Sequence, residues 1–567
     1  MSTLFYPDLF KLKNHCRFEQ ILALPVQHSM LKRSLAITAI FTALFIHLQK
    51  RRKNDLILHG QLRLATAILT AITDRLLFLP FRRIHRYLCL LTNLGLPQPG
   101  YLTDLTDQKG AAFITNVLRS HFNTKQIKVK TISVTPFSAG QMSLTGRIDL
   151  TYSASTVGIP PPSLIVKMTR QDIKGKALNM LVGLYRECEC YSNLLPSTGC
   201  PVPDLLFSSV NDFSKDFLLI LSDGSYLGPK TGYVKATTVG ALSLADTITT
   251  DALKAPGATL EVYHTPPSMT KHGSWTNINT VDIVVDMMKK SVIELSKMHI
   301  KYWRDESLFE MDLSLGNRNS LAEAYAAIQS SWNATKIQAR SGKYEGTSPW
   351  RGTKNMSQYE SLVSRTLMAH LIRWGQVEHN DPTAWSRIDD KSYRKTCVCE
   401  IGGGFTLLHG DFHSENVFVR DLPPNSKASK FLILDWQMPS IGDPVKDVAR
   451  MPIFGGLDNL GRAKHEESIL KTWWETFTDV EKGGISKKEY PWECAWISYK
   501  YWAAHHAALL IMSCEISKFF LEDDAAGYRM AVDKFNAVVE AHGDPTVNFE
   551  KRAKALEALG RKIEKKN

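Results

Sequence analysis

Two periods of hydrophobic and polar positions run along this chain, and the switches between them mark its parts. Residues 125–134 (KQIKVKTISV) and 147–152 (RIDLTY) alternate apolar with polar, the pattern of a half-buried strand. Residues 163–168 (SLIVKM) and 216–221 (DFLLIL) are short apolar runs that read as buried strands. Helical spacing covers 107–122, 178–195 and, most strongly, 282–302. Turn residues separate these pieces. Gly95–Gly100 (GLPQPG) reads as a linker, 136–146 as a turn-rich loop holding Gly140 and Gly146, and Pro160–Pro162 as a turn. Strands, a helix and one more strand predict a small mixed-sheet lobe over 101–224.

Two stretches have no clear period. Residues 225–275 are rich in Thr, Ser, Gly and Pro, and about 330–360 is irregular again. Inside a compact protein such stretches read as lids or insertions. From Thr396 the pattern returns to short apolar strands and then long helices. Residues 225–567 are therefore expected to form a second, larger and mostly helical lobe.

The first 100 residues differ from the rest. Ser34–Leu48 (SLAITAIFTALFIHL) holds no charge and is flanked by Lys32, Arg33 and the run Lys50–Lys53. As a helix it would reach roughly 22 Å, short of the ~30 Å hydrocarbon core unless the basic flanks snorkel. Leu64–Pro80 is apolar but carries Asp74 and Arg75, which suits an interface-lying helix better than a span. Three readings stay open for residues 30–86: a membrane anchor, amphipathic surface helices, or helices packed on the body. A cleaved signal peptide does not fit, because the apolar stretch starts too far from Met1 and no small-residue cleavage site follows.

Charge sharpens this division. The chain has 567 residues, is 44% hydrophobic and 22% charged, and carries a formal net charge of +13. That composition excludes a disordered or collagen-like chain. Residues 1–100 account for +10 and residues 551–567 for +5, which leaves −2 for everything between. A near-neutral body argues against a nucleic-acid groove. The positive ends point instead to anionic headgroups, with a membrane anchor through residues 30–86 one of the open readings for a cytosolic-facing protein. The nine cysteines are odd in number and scattered, as expected of reduced thiols. The pairs Cys188/Cys190 and Cys397/Cys399 are C-x-C, not the C-x₂₋₄-C of most zinc sites.

The strongest chemical signal is 408–419, LHGDFHSENVFV, with His409, Asp411 and Asn416 in an H-x-D-x₄-N arrangement. A polar turn over 421–430 follows, then an apolar strand ending in Asp435. A hairpin there would bring both aspartates to one end of a sheet. Phosphoryl transfer from a nucleotide needs such parts. One carboxylate must orient the attacking hydroxyl and accept its proton, while an amide oxygen and a second carboxylate hold Mg²⁺. Asp411 suits the first role, and Asn416 and Asp435 suit the metal roles. The plain alternative is a polar turn between two core strands.

HGDFHSEN followed by ILDWQMPSIGDPVKDVA resembles the catalytic and metal motifs of aminoglycoside phosphotransferases and choline kinases. LSKMHIKYW (295–303) and RECECY (186–191) with Leu194–Pro196 make it most similar to the CHK kinase-like, or ecdysteroid kinase-like, branch. The resemblance covers about 101–545. It implies an α+β, bilobal, protein-kinase-like fold, with a small mixed β-sheet N-lobe and a larger mostly helical C-lobe, to which residues 1–100, outside the resemblance, would add an extra helical N-terminal segment. It implies ATP and Mg²⁺ as cofactors and a small-molecule hydroxyl as acceptor.

The residue roles follow from the same resemblance. Lys167 matches the lysine on the nucleotide phosphates, and Glu187 the helix glutamate that pairs with it. Glu189 is the weaker candidate. Leu221 and Asp223 fall at the hinge strand, whose backbone would meet the adenine. Gly140 lies in the phosphate loop. Asp447 matches an aspartate that braces the catalytic loop, and His409 a scaffold histidine. Two features depart from the family: the loop FSAGQMSLTG (137–146) lacks G-x-G-x-x-G, and Ser222 stands where a glutamate is common. They motivate the alternative of a nucleotide-binding pseudokinase that recruits partners. A zinc- or nucleic-acid-binding protein is the third class weighed.

Overall fold

The computed structural model describes residues 99–137, 143–239, 278–315, 404–520 and 525–555, apart from short gaps within them, together with Leu69–Ala71. Contacts divide the chain into Met1–Lys53 and Asn54–Asn567. All described residues belong to the second unit. The expected apolar stretch 34–48, Gly140, most of the 225–275 insertion and all of 330–360 lie outside the described residues, as do Cys397 and Cys399.

The N-lobe is a five-stranded antiparallel sheet in the order β1-β2-β3-β5-β4. Its strands are β1 (Val129–Pro136), β2 (Ser143–Tyr152), β3 (Ser163–Thr169), β4 (Leu205–Val210) and β5 (Phe217–Ser222). Helix α1 (Gln108–His121) covers one face. It starts where the Asp107 side chain accepts from the Lys109 and Gly110 amides. A Cβ at Gly110 would lie 2.2 Å from the Leu105 carbonyl oxygen, so only glycine lets the chain turn there. Leu164, Val166 and Met168 of β3 pack under α1 with Ile114 and Leu118. The period of two then puts Ile165 and Lys167 on the opposite face.

The sequence pattern predicts one helix over 178–195, and the structure corrects it. Helix α2 (Ile173–Val182) ends at Gly183, left-handed at φ +79. A new start, α3 (Arg186–Glu189), runs into a π-helical turn over Cys190–Leu194 and a tight turn over Leu195–Ser197. Glycine is the residue that closes a helix this way, so LVGLYRE holds a stop signal that periodicity alone passes over. The 136–146 loop is also shorter than expected. β2 already begins at Ser143, and the Phe137 amide donates to the Thr145 carbonyl.

β6 (Ala236–Thr238) follows, and α4 (Ile278–Lys301) opens the described C-lobe helices, with β7 (Ser314–Leu315) after it. The next strands are β8 (Thr406–Leu408), β9 (Val417–Arg420), β10 (Phe431–Ile433) and β11 (Ser440–Gly442). β9 and β10 form the expected hairpin, extended by β6. β11 pairs with β8 and β7. The long elements are α5 (Val445–Phe454), α6 (Asn459–Phe477), α7 (Trp492–Phe520) and α8 (Ala525–His542). This is an α+β, two-lobed chain, small sheet first and helices after. One apolar core runs from Leu219 and Leu221 through α3 and α4 to Trp436, Trp473 and Trp502. Both lobes are therefore anchored to the same buried surface.

Among the described residues no helix is long and apolar enough to cross a membrane. The described turn of the 64–80 segment faces protein: Ala71 is buried against Ala177 of α2. No group of three or more metal-ligating side chains occurs among the described residues. Cys188 and Cys190 are buried free thiols.

Candidate active site

Lys167 leaves β3 on the face away from α1. Its Nζ lies 2.6 Å from Glu187 Oε2 of α3 and pairs with Asp435 Oδ1 beyond β10. The lysine and Glu187 are buried; Asp435 is about a quarter exposed, at 28%. Burial lowers the Lys167 pKa, but Asp435 and Glu187 outweigh it and hold the ammonium above its ordinary range. The cluster has two carboxylates for one lysine. Burial, with the Asp435 charge against the pull of Lys167, raises the Glu187 carboxyl to about 7. The pairing is with Glu187, as the sequence predicts; Glu189 instead accepts from Asn193.

Asp435, which pairs with Lys167, has a left-handed backbone, φ +63. Aspartate tolerates that region better than most residues, at a cost of about 1 kcal/mol. The preceding amide, Leu434 N, donates to the Asn416 carbonyl at 2.9 Å. The two halves of the hairpin motif are thus fastened together. Gln437 donates to Asp435 Oδ2 at 2.8 Å.

The loop after β8 is braced from below. Asp447 of α5 accepts from the His409 amide at 2.6 Å and the Gly410 amide at 2.9 Å. His299 of α4 lies 3.4 Å from the same carboxylate and accepts from the Trp473 indole at 3.1 Å. Burial pushes Asp447 up, and these partners more than reverse it, so it stays ionised. His409 is scaffold, as expected. Its Nε2 meets the Leu434 carbonyl at 2.8 Å and its Nδ1 accepts from Asp411 N, while its ring packs on Trp436. Burial holds it below the ordinary histidine range, hence neutral. Gly410 turns at φ +79, and a Cβ there would lie 1.9 Å from the Met438 carbonyl oxygen.

This brace delivers Asp411 and Asn416 to the end of the sheet that Asp435 occupies. Asn416 Nδ2 donates to the Asp411 carbonyl at 2.9 Å, which leaves Oδ1 as the atom for a ligand. Asn416 and Asp435 are hard oxygen donors, one amide and one carboxylate. So few protein ligands fit a Mg²⁺ ion that completes its octahedron with phosphates and water. Asp411 pairs through Oδ1 with Arg450 of α5, and His413 Nε2 lies 3.6 Å from the same oxygen. Burial raises the Asp411 carboxyl, but Arg450, His413 and His409 pull it well below the usual carboxylate range.

Other expected residues fall into place or shift. Leu221 sits on the Lys167 face of β5, nearly buried. Asp223 is turned inward: its carboxylate accepts from Ser163 at 2.6 Å and from the Ser225 amide and hydroxyl, with Arg147 Nε at 3.4 Å. Its side chain is occupied within the lobe, and the expectation for this strand end concerned its backbone alone. Arg450 and Gln437 are the site residues that sequence reasoning missed. Arg450 has a signal, the three-residue spacing from Asp447 in DVAR, which is one helical turn.

A family model described as "DUF1679: Uncharacterized oxidoreductase dhs-27" matches residues 377–527. No curated protein sequence matches the chain. Among solved structures, a choline kinase from Cryptosporidium parvum Iowa II is similar at TM-score 0.41 and 10% identity, covering 76% of this chain and 94% of its own. A thermostable mutant of the aminoglycoside phosphotransferase APH(4)-Ia is similar at TM-score 0.30 and 13% identity, covering 75% of this chain and 98% of its own. A choline/ethanolamine kinase family protein from Mesorhizobium loti follows at TM-score 0.33 and 10% identity, covering 76% and 92%.

Proposed function

We propose that this chain is an ATP- and Mg²⁺-dependent phosphotransferase of the aminoglycoside phosphotransferase–choline kinase type, acting on a hydroxyl of a small organic molecule. The observation that carries this reading is the joining of Lys167, Glu187 and Asp435 at the same edge as Asp411 and Asn416. Lys167 would bind the nucleotide phosphates, with Glu187 holding it in place. Asn416 and Asp435 would hold Mg²⁺, which neutralises charge on the phosphates when bound. The acceptor hydroxyl donates to Asp411, its oxygen forms the new bond to the γ-phosphorus as the bond to ADP breaks, and the proton passes to the Asp411 carboxylate.

A carboxylate held so far below its usual range is a weak base. That suits a loose transition state, in which orientation and charge neutralisation matter more than proton abstraction. The word oxidoreductase attaches to the protein that gives the matching family its description. Dinucleotide enzymes hold pyrophosphate on a parallel βαβ unit. Among the described residues of the matched segment, the pairs β9–β10 and β8–β11 are antiparallel, which favours phosphoryl transfer. Membrane association through residues 30–86 is part of the proposal and rests on their charge and apolar pattern.

A metabolite extract incubated with the full chain and γ-labelled ATP tests the reading. New phosphate esters should form with the wild type and be absent with Asp411→Ala. Identical products from both would overturn it.

A further inference from the structure

Helix α5 grips the catalytic loop at two places one turn apart. Asp447 takes the backbone amides of His409 and Gly410, and Arg450 takes the carboxylate of Asp411. The second grip is itself packed in. The Arg450 guanidinium carbon stands 4.1 Å from the centre of the Phe454 ring, four residues on along α5. Phe454 in turn lies near-parallel to the His413 ring, centroids 6.1 Å apart. The arginine side chain is only 12% exposed. A stacked, desolvated fork is held in one orientation, unlike a surface cation that meets an acid in passing.

Two neighbouring side chains lie at the same atom. Arg450 pairs with Asp411 Oδ1, and His413 is 3.6 Å from Oδ1. Among the described residues, Oδ2 has no hydrogen-bond partner. A free carboxylate turns easily about its last torsion, because that well is broad and two-fold. Fixing one oxygen removes that freedom and settles which oxygen meets the acceptor.

We propose that Arg450 is a positioning residue, which anchors Asp411 by Oδ1 so that Oδ2 is presented to the acceptor hydroxyl. The proposal rests on the phosphotransferase reading above. It makes Arg450 act through Asp411, without contact to nucleotide or metal. Its loss should therefore appear in turnover and leave nucleotide affinity alone.

The test uses the full chain and Mg·ATP hydrolysis, with water as the acceptor. Wild type is compared with Asp411→Asn, Arg450→Ala, Arg450→Lys and Phe454→Leu, and kcat and KM for ATP are measured separately. Arg450→Ala should lower kcat by about ten- to a hundredfold, the scale of a misplaced catalytic group. Its KM for ATP should stay within about twofold, since uniform binding is untouched. Arg450→Lys keeps the charge and should recover part of the loss, and Phe454→Leu should fall between. A kcat at or above wild type in Arg450→Ala, with Asp411→Asn inactive, overturns this inference alone. Should Arg450→Ala not fold, Arg450→Lys and Phe454→Leu decide, and wild-type kcat in both overturns it. Equal turnover in wild type and Asp411→Asn overturns the functional reading and this inference with it.

Discussion

Lys167 and Asp435 form an ion pair although 268 residues separate them in the chain. The pair joins the sheet lobe to the β9–β10 hairpin motif, and Glu187 holds the lysine from its other side at 2.6 Å. Replacing the ammonium leaves two carboxylates facing one another where phosphates are to bind. Lys167→Met should therefore weaken Mg·ATP binding by about 1.5–3 kcal/mol, the range for a hydrogen bond to a charged group, or about ten- to a hundredfold. Titration calorimetry with Mg·ATP checks this; unchanged affinity would place the nucleotide elsewhere.

Gly410 carries a steric prediction that is independent of activity. It is left-handed at φ +79, and a Cβ would overlap the Met438 carbonyl. Gly410→Ala should cost at least about 2 kcal/mol, from backbone strain and overpacking together. Gly199 has a similar angle, φ +67, with open space around it. Gly199→Ala should cost only the strain, about 1 kcal/mol. Denaturant midpoints of the two variants separate the contributions.

Asp443 is one of the buried carboxylates that make the C-lobe acid-sensitive. It accepts from Tyr490 and Trp502 and pairs with Arg552 at 2.6 Å, all buried. Burial raises its carboxyl, and Arg552 and Trp502 pull it below the ordinary value. A folded pKa below the unfolded one stabilises the fold above about pH 4, and the gain is lost as pH falls through the folded value. Asp443→Asn should thus be clearly less stable than wild type near neutral pH, with the gap closing below about pH 4. Urea unfolding across pH checks the trend, and a gap that widens on acidification contradicts it.

What the sequence made legible was local. H-x-D-x₄-N, the following turn and the strand ending in Asp435 lie within one hairpin, so their proximity follows from chain geometry. Lys167 and Glu187 were readable only through the resemblance of SLIVK and RECECY to family motifs, since the predicted helix over 178–195 put Glu187 in its middle. The rest depended on distance or on a single residue. Gly183 ends α2 in the midst of an apolar run, so periodicity predicts one helix where the chain makes a stop and a π-helical turn. Arg450 sits on a helix face like any solvated arginine, and only its partner 39 residues earlier gives it meaning. The fold-level picture survived these misses because the alternating strands and long apolar helices do not depend on any one of them.

The proposed function requires one edge to bind Mg·ATP through Lys167 and Asp435 and to transfer its γ-phosphoryl group through Asp411. Measuring Mg·ATP affinity and turnover together, on wild type, Asp411→Asn and Asp435→Asn, addresses it most directly. Wild type should bind and turn over, Asp411→Asn should bind with near-wild-type affinity and not turn over, and Asp435→Asn should lose Mg²⁺-dependent binding. Binding by wild type without any turnover, matched by Asp411→Asn, would overturn phosphoryl transfer and leave a nucleotide-binding pseudokinase.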